Sequence, residues 1–329
     1  MPPPLKKGGW GDFPPLHNEG TFCMKPAFSV IFFTVGSGAG LGLFSLLVLA
    51  DLLGIGGPIL PGQYALVGTV ALGLVAFGLV SSTFHLANPK NAWRAFSRFG
   101  SSWLSREGIF AVLFFPVALI YLGTGWLESN GGLHVASGVA GLLLAWATVY
   151  STGMIYGCLK TIRQWHTPLV PALYMVLAHS SGALLFWILM AASGNATPAF
   201  RGMAIGGLLL GALLKAIYYA WIARPGMGPS LNTATGLNRG TVRLLDAGHS
   251  HGNFVTQEFG FNLARENAAM LKGTVFVLGF LLPSALLLAE GVALAGVAAL
   301  SGIAGLLVER WLFFAEARHV VRLYHGQTT

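Results

Sequence analysis

Eight separate apolar runs, most of them 20 residues or longer, constrain this chain more than any other feature. They lie at 27–54, 62–85, 105–126, 133–158, 169–192, 198–223, 273–290 and 292–315. A helix rises 1.5 Å per residue, so about 20 apolar residues cross a hydrocarbon layer about 30 Å thick. In lipid the backbone must satisfy its own hydrogen bonds, which favours helices for runs of this length. The expected fold is all-α: a polytopic membrane bundle of about eight transmembrane helices. Only 9% of residues are charged, against roughly 25% in soluble domains. The first run is too long for the apolar core of a signal peptide, about 7–15 residues, and reads as a span. Only Glu290 and Gly291 separate the last two runs, which implies a tight helical hairpin.

Charge placement gives an expected topology. The net charge is +8 and the pI about 9.7, yet the basic residues sit in short connections between apolar runs. There they act as topology signals rather than as a nucleic-acid footprint. With eight spans, all 19 basic residues except Arg201 and Lys215 fall on one side. The positive-inside rule makes that side, and both termini, cytoplasmic. The expected organisation is an extended cytoplasmic N-terminal segment (1–26), a transmembrane domain (27–315) and a cytoplasmic tail (316–329). A long cytoplasmic loop (224–272) interrupts the domain, and its stretch Asn262–Ala268 suits a short interfacial helix. The pairs Gly36/Gly40 and Gly38/Gly42 in the first span are expected to bring helix backbones close. Ser301, Gly302 and Gly305 suggest the same in the last.

The ligand patterns for bound metals are weak. Cys23 and Cys158 lie far apart, which excludes an iron–sulfur cluster or structural zinc made from these cysteines alone. Asp246, His249 and His251 share a loop without a further ligand pattern, and a solvated or partner-contacting loop explains them better. Haem b would need facing histidines at one depth. His85, His134 and His179 are expected at three different depths, so no haem and no metal site is expected. His179 reads as an interhelical hydrogen-bond partner, with Ser180 or Ser181. Lys215, inside the sixth span, either snorkels to the surface or meets a carboxylate or carbonyl within the bundle.

Ionisable side chains at membrane depth are costly and so point to function. They concentrate in His85-Leu86-Ala87-Asn88-Pro89, ending the second span, and Ser101-Ser102-Trp103-Leu104-Ser105-Arg106-Glu107-Gly108, entering the third. The intervening loop places His85 and Glu107 at similar depth on neighbouring helices. An imidazole and a carboxylate, backed by Arg94, Arg106 and Trp103, suit hydrogen bonding to quinone carbonyls and proton exchange with water. Structural readings compete: His85 as a helix-end histidine, and Ser105 and Glu107 as caps of the third helix.

Those two stretches, with Ala92-Trp93-Arg94-Ala95-Phe96 between them, resemble the membrane-anchor subunits of dimethyl sulfoxide reductases. So do Pro26 to Thr34, Trp165-His166-Thr167-Pro168-Leu169, and Phe254 to Phe261 followed by Ala264-Arg265. The resemblance runs from the first span to the sixth loop. The opening motif is similar to the membrane subunits of cytoplasmic sulfite-oxidising complexes within that family. Ala87 stands where the family usually has Gly, and Arg265-Glu266-Asn267 where it has a more basic stretch, which leaves the partner-facing loop less defined.

The resemblance implies an anchor in the bacterial inner (cytoplasmic) membrane, within a complex of three subunits. An iron–sulfur subunit would dock on the cytoplasmic face, beside a catalytic subunit with a molybdenum bis-pterin cofactor. The anchor would exchange electrons with ubiquinone or menaquinone, using the family's His and Glu at positions matching His85 and Glu107. The expected direction is from sulfite to quinone; the alternative is a dimethyl sulfoxide reductase-type complex oxidising menaquinol. A different class, a secondary transporter using Lys215, His179 and Glu107, would commonly show internal repeats. None is evident between 27–158 and 169–315.

Overall fold

The computed structural model describes residues 28–84, 89–129, 131–224, 230–237, 239–245, 267–289 and 291–325. Within them are eight helices long and apolar enough to span a membrane. They are α1 (Phe28–Leu52), α2 (Pro61–Thr83), α3 (Trp103–Trp126), α4 (Gly132–Gly157), α5 (Leu169–Ala192), α6 (Pro198–Ile222), α7 (Ala268–Leu286) and α8 (Val292–Ala315). The described residues form no strand; one isolated antiparallel bridge joins Ile162 to His319. The expected N-terminal segment, His85, the 246–251 loop and most of the Asn262–Ala268 stretch lie outside the described residues. Ala268 begins α7, so the sixth connection is shorter than the expected 224–272.

Local chemistry sets the helix ends. Pro61 and Pro198 occupy the first position of α2 and α6, where the missing N–H costs nothing and the fixed φ suits a helix. The Gln63 side chain accepts the Leu60 N–H at 3.0 Å. The cap of α3 is Ser102, whose hydroxyl accepts the Ser105 N–H at 3.4 Å. Neither Ser105 nor Glu107 caps that helix, a correction to one sequence reading. In α7 the segment Val277–Leu281 widens into a π-turn just before Pro283. Proline offers no N–H and its ring crowds the carbonyl four residues back, which a wider turn relieves.

The first span is the hub, packed against α2, α4, α5 and α8. Its two glycine pairs serve different neighbours. A side chain at Gly36 would meet the Phe77 ring at 3.3 Å, and one at Gly40 the Ala71 carbonyl of α2 at 2.6 Å. Gly38 and Gly42 instead face Ala178 of α5. On α8, Gly305 lies against Gly279 within the π-turn, and the Ser301 hydroxyl donates to the Leu278 carbonyl at 2.9 Å. Lipid gives helices no hydrophobic reason to associate, so this close backbone approach supplies the packing.

One end of the bundle gathers the start of α1, the ends of α2, α4, α6 and α8, and most of the described basic residues. A 3₁₀ segment (Pro89–Arg98) precedes α3 there, with Trp93 and Phe96 exposed and the Phe96 ring against Gly108. The α4–α5 connection meets the end of α8 and the chain beyond it: Trp165 Nε1 donates to Phe313 O at 3.1 Å and the Val320 N–H to Thr161 O at 3.0 Å. We call this end the basic face and the opposite end the far face. One residue assigned to a connection from sequence, Lys272, lies within a helix instead, and a basic residue of the last run is buried. Lys272 sits in α7, paired with Glu316 at 2.8 Å, and Arg310 is buried in α8.

Gly42→Ala should force α1 away from the Ala178 carbonyl and cost about 1–3 kcal/mol. Gly206→Ala, whose added carbon meets open space, should be neutral or slightly stabilising. Thermal unfolding of the two variants in detergent checks the contrast.

Candidate functional site

Glu107 lies one turn into α3 from the basic face and is 4% exposed. Its Oε1 accepts a hydrogen bond from the Thr152 hydroxyl of α4. That hydroxyl also lies 3.0 Å from the Thr148 carbonyl, so Thr152 has two acceptors within reach for its one proton. No cation pairs with Glu107 among the described residues. A carboxyl held in this way is placed to gain or lose a proton rather than to lock an ion pair.

The other expected site residues divide. Trp103 stacks under Arg106, whose guanidinium lies 4.3 Å from the ring centroid, and its ring meets Tyr150 edge-on at 5.9 Å. Arg106 donates to the Phe99 and Gly100 carbonyls at 2.9 and 2.8 Å. It therefore fixes the turn before α3 rather than backing Glu107. Arg94 is exposed, its guanidinium 5.8 Å from the Trp93 ring. His85 lies outside the described residues. The structure thus brings Glu107 together with Thr152, a residue no sequence pattern singled out.

At similar depth lies a second buried polar group. Lys215 of α6 and Arg310 of α8 both bond Glu309, Lys215 through Nζ and Arg310 through Nε. Lys215 is 1% exposed and Glu309 0%. Lys215 therefore does not snorkel; it meets a carboxylate. The Arg310 guanidinium lies 4.2 Å from the Tyr174 ring centroid, and Lys215 Nζ lies 4.4 and 4.6 Å from the Tyr218 and Tyr219 rings. One carboxylate thus serves two cations, with aromatic faces taking up the remaining positive charge.

Between Glu107 and this cluster is a cavity of about 30 Å³. Its lining is largely apolar, with Leu41, Val149 and Leu306 among it, and takes in Thr152, Tyr174 and Arg310. The Tyr174 hydroxyl and the Arg310 side chain lie near each other, but neither the hydroxyl nor Nη1 makes a hydrogen bond of full geometry among the described residues. Both are buried, and an unpaired buried polar atom costs about 1–3 kcal/mol.

A third group lies at the far face. Asp51 Oδ2 accepts from the Tyr121 hydroxyl at 2.6 Å and meets His134 Nε2 at 2.8 Å; Thr124 Oγ1 lies 2.9 Å from His134 Nδ1. Heptad spacing stacks the two ends: Ser37, Phe44 and Asp51 lie along α1, and Glu107, Phe114 and Tyr121 along α3. The Phe44 and Phe114 rings meet edge-on at 4.9 Å, both fully buried, so an apolar layer separates the two polar ends. Midway, His179 accepts from Trp146 Nε1 at 3.0 Å and its Nδ1 meets Met175 O at 2.7 Å. Its interhelical partner is Trp146, not Ser180 or Ser181. The described residues contain no cluster of three or more His, Cys, Asp or Glu fit for a metal ion.

Removing one member of a buried ion pair leaves the other uncompensated, at about 3–5 kcal/mol. Glu309→Gln would strand two cations and should approach that loss. Lys215→Met leaves Glu309 neutralised by Arg310 and should cost markedly less. Thermal unfolding of the two variants decides the order.

Comparison with known proteins agrees with this architecture. Residues 24–315 match the DMSO reductase anchor subunit (DmsC) family. The chain is 34% identical over 322 residues to a subunit of the sulfite dehydrogenase of Allochromatium vinosum, covering 92% of this chain and 99% of that protein. A match across all eight spans, joined to an all-helical bundle, settles the assignment: this chain belongs to the family of DMSO reductase anchor subunits.

Proposed function

We propose that this membrane anchor of a DMSO reductase-type oxidoreductase complex is its quinone-reactive subunit, with Glu107 as the proton-exchanging group. The observation that carries the reading is the burial of the Glu107 carboxyl just inside the basic face, against a hydroxyl rather than a cation. Quinone chemistry needs such a group: reduction takes two electrons and two protons, and quinol oxidation releases both. In this reading His85 serves the same head group, while Trp103, Arg106 and Arg94 form the rim of the site near the basic face. Arg106 does so by holding the turn that starts α3.

The basic face is cytoplasmic in this proposal. Support comes from the Lys and Arg residues collected there, which insertion retains on the cytoplasmic side of the inner membrane. An iron–sulfur subunit docks on that face, so electrons travel a short way between its clusters and quinone. In this reading the molybdenum bis-pterin cofactor belongs to the catalytic partner, and no haem or metal is assigned to this chain. Family membership gives the transporter alternative no support.

The relative supports one direction. The similarity to a sulfite dehydrogenase subunit favours sulfite as the electron source. Sulfite plus water gives sulfate, two protons and two electrons, and the electrons with two protons reduce quinone to quinol. The second reading, a menaquinol-oxidising complex that reduces a sulfoxide, is favoured by the family description. Both directions require a site that binds quinone and quinol.

In membranes containing the whole complex, Glu107→Gln and His85→Ala should each lower quinone-linked turnover by about two orders of magnitude or more. Dye-linked activity of the soluble partners should persist. Wild-type quinone turnover in both variants would refute the site. Sulfite-dependent quinone reduction by the wild-type complex supports the sulfite reading, and sulfoxide-dependent quinol oxidation alone supports the second.

A further inference from the structure

We infer that the cavity between Thr152 and Arg310 is a water-holding station of a proton relay that links Glu107 to the Glu309–Lys215 pair and stays on the basic side of the bundle. This rests on the reading of Glu107 as the quinone-linked proton group and adds the route its proton takes.

Three observations converge on it. The first is Thr152: its hydroxyl donates to Glu107 and the same residue lines the cavity. A hydroxyl both donates and accepts, so it can pass a proton on by taking one as it gives one. The second is the cavity itself. Its volume of about 30 Å³ holds one or two waters, which need two to four polar partners. Tyr174 and Arg310 line it, and the Tyr174 hydroxyl and the Arg310 side chain lie near each other without either the hydroxyl or Nη1 making a hydrogen bond of full geometry among the described residues. Water there satisfies both buried atoms and bridges them to Thr152. The third is what lies beyond: Arg310 Nε bonds Glu309, which bonds Lys215.

Arg310 does not carry the proton, because its guanidinium stays charged. It fixes water and keeps Glu309 oriented. The groups that bind and release protons are Glu107, Glu309 and Lys215. In each hop one O–H or N–H bond breaks at the donor as another forms at the acceptor, and no oxidant is needed. The titratable and charged groups around the route are Glu107 on α3, Tyr156 on α4, Tyr174 on α5, and Lys215, Tyr218 and Tyr219 on α6. Among the described residues, Lys272 on α7 and Glu309, Arg310 and Glu316 on or just beyond α8 complete the set. Lys215 and Lys272 lie 4.6 and 4.9 Å from the Tyr219 ring centroid, and Lys272, 30% exposed at its side chain, pairs with Glu316. The surface outlet is therefore beside that pair. The fully buried Phe44 and Phe114 rings close the way to the Asp51–His134 group.

The test uses the whole complex in native membranes and reads quinone-linked turnover, its ratio in H₂O and D₂O, and dye-linked activity as a measure of assembly. Thr152→Val should lower quinone-linked kcat about tenfold or more, with the KM for quinone changed less than twofold and a larger solvent isotope effect. Thr152→Ser should restore both, and Tyr174→Phe should act like Thr152→Val. If Thr152→Val fails to assemble, Tyr174→Phe decides by the same criteria. Wild-type turnover and isotope effect in Thr152→Val, beside an inactive Glu107→Gln, would overturn the relay and leave Glu107's role intact. Loss not rescued by Thr152→Ser would mark a packing role and also overturn it. Wild-type turnover in Glu107→Gln would remove the reading beneath both.

Discussion

Charge inside a hydrocarbon slab must be neutralised where it sits, and the account of this bundle follows from how that is done. Lys215, Glu309 and Arg310 come from two helices distant in sequence and meet with almost no solvent contact. A buried ion pair is weak evidence for stability, because desolvation offsets most of the attraction. Such a group fixes which helices meet: α6 and α8 cannot slide past each other without stranding a charge. The same constraint makes Glu107 informative. It stands where a carboxyl is costly and has a hydroxyl for a partner instead of a cation.

Close backbone packing makes that placement possible. The glycines of α1 let α2 and α5 approach from two sides, and α1, α4, α5 and α8 surround a small cavity that Thr152, Tyr174 and Arg310 help to line. Glu107 reaches that cavity through Thr152. Two turns deeper, Phe44 and Phe114 close the interior, and two turns further Asp51, Tyr121 and His134 tie together α1, α3 and α4 at the far face. Polar, apolar and polar layers thus follow one another along a single seam.

Sequence made the architecture legible because apolar length and backbone satisfaction leave a chain like this few choices. The eight spans, the hairpin before Val292 and the glycine contacts of α1 and α8 could all be read from residue pattern. The Glu107 position was legible because a carboxylate in an apolar run is conspicuous. Thr152 was not, since a threonine in a span ordinarily bonds its own helix, as Thr148 does. Glu309 and Arg310 were obscured by their place near the end of the last run, where charge normally marks the membrane surface. Asp51, at the end of the first span, carries the same ambiguity. In these cases the missing information was the partner, which lies on another helix and has no fixed sequence distance. The Trp146 indole chosen by His179, where sequence suggested a neighbouring serine, shows the same limit.

The central claim is that a quinone head group approaches the Glu107 carboxyl near the basic face. A density map of the assembled complex, saturated with a tight-binding quinone analogue, tests it directly. The account predicts an analogue oxygen within hydrogen-bond distance of Glu107, between α2 and α3. Density confined to another surface, such as the apolar groove of Phe28, Ile31, Phe32, Leu271 and Trp311, with Glu107 sealed from the ligand, would contradict it.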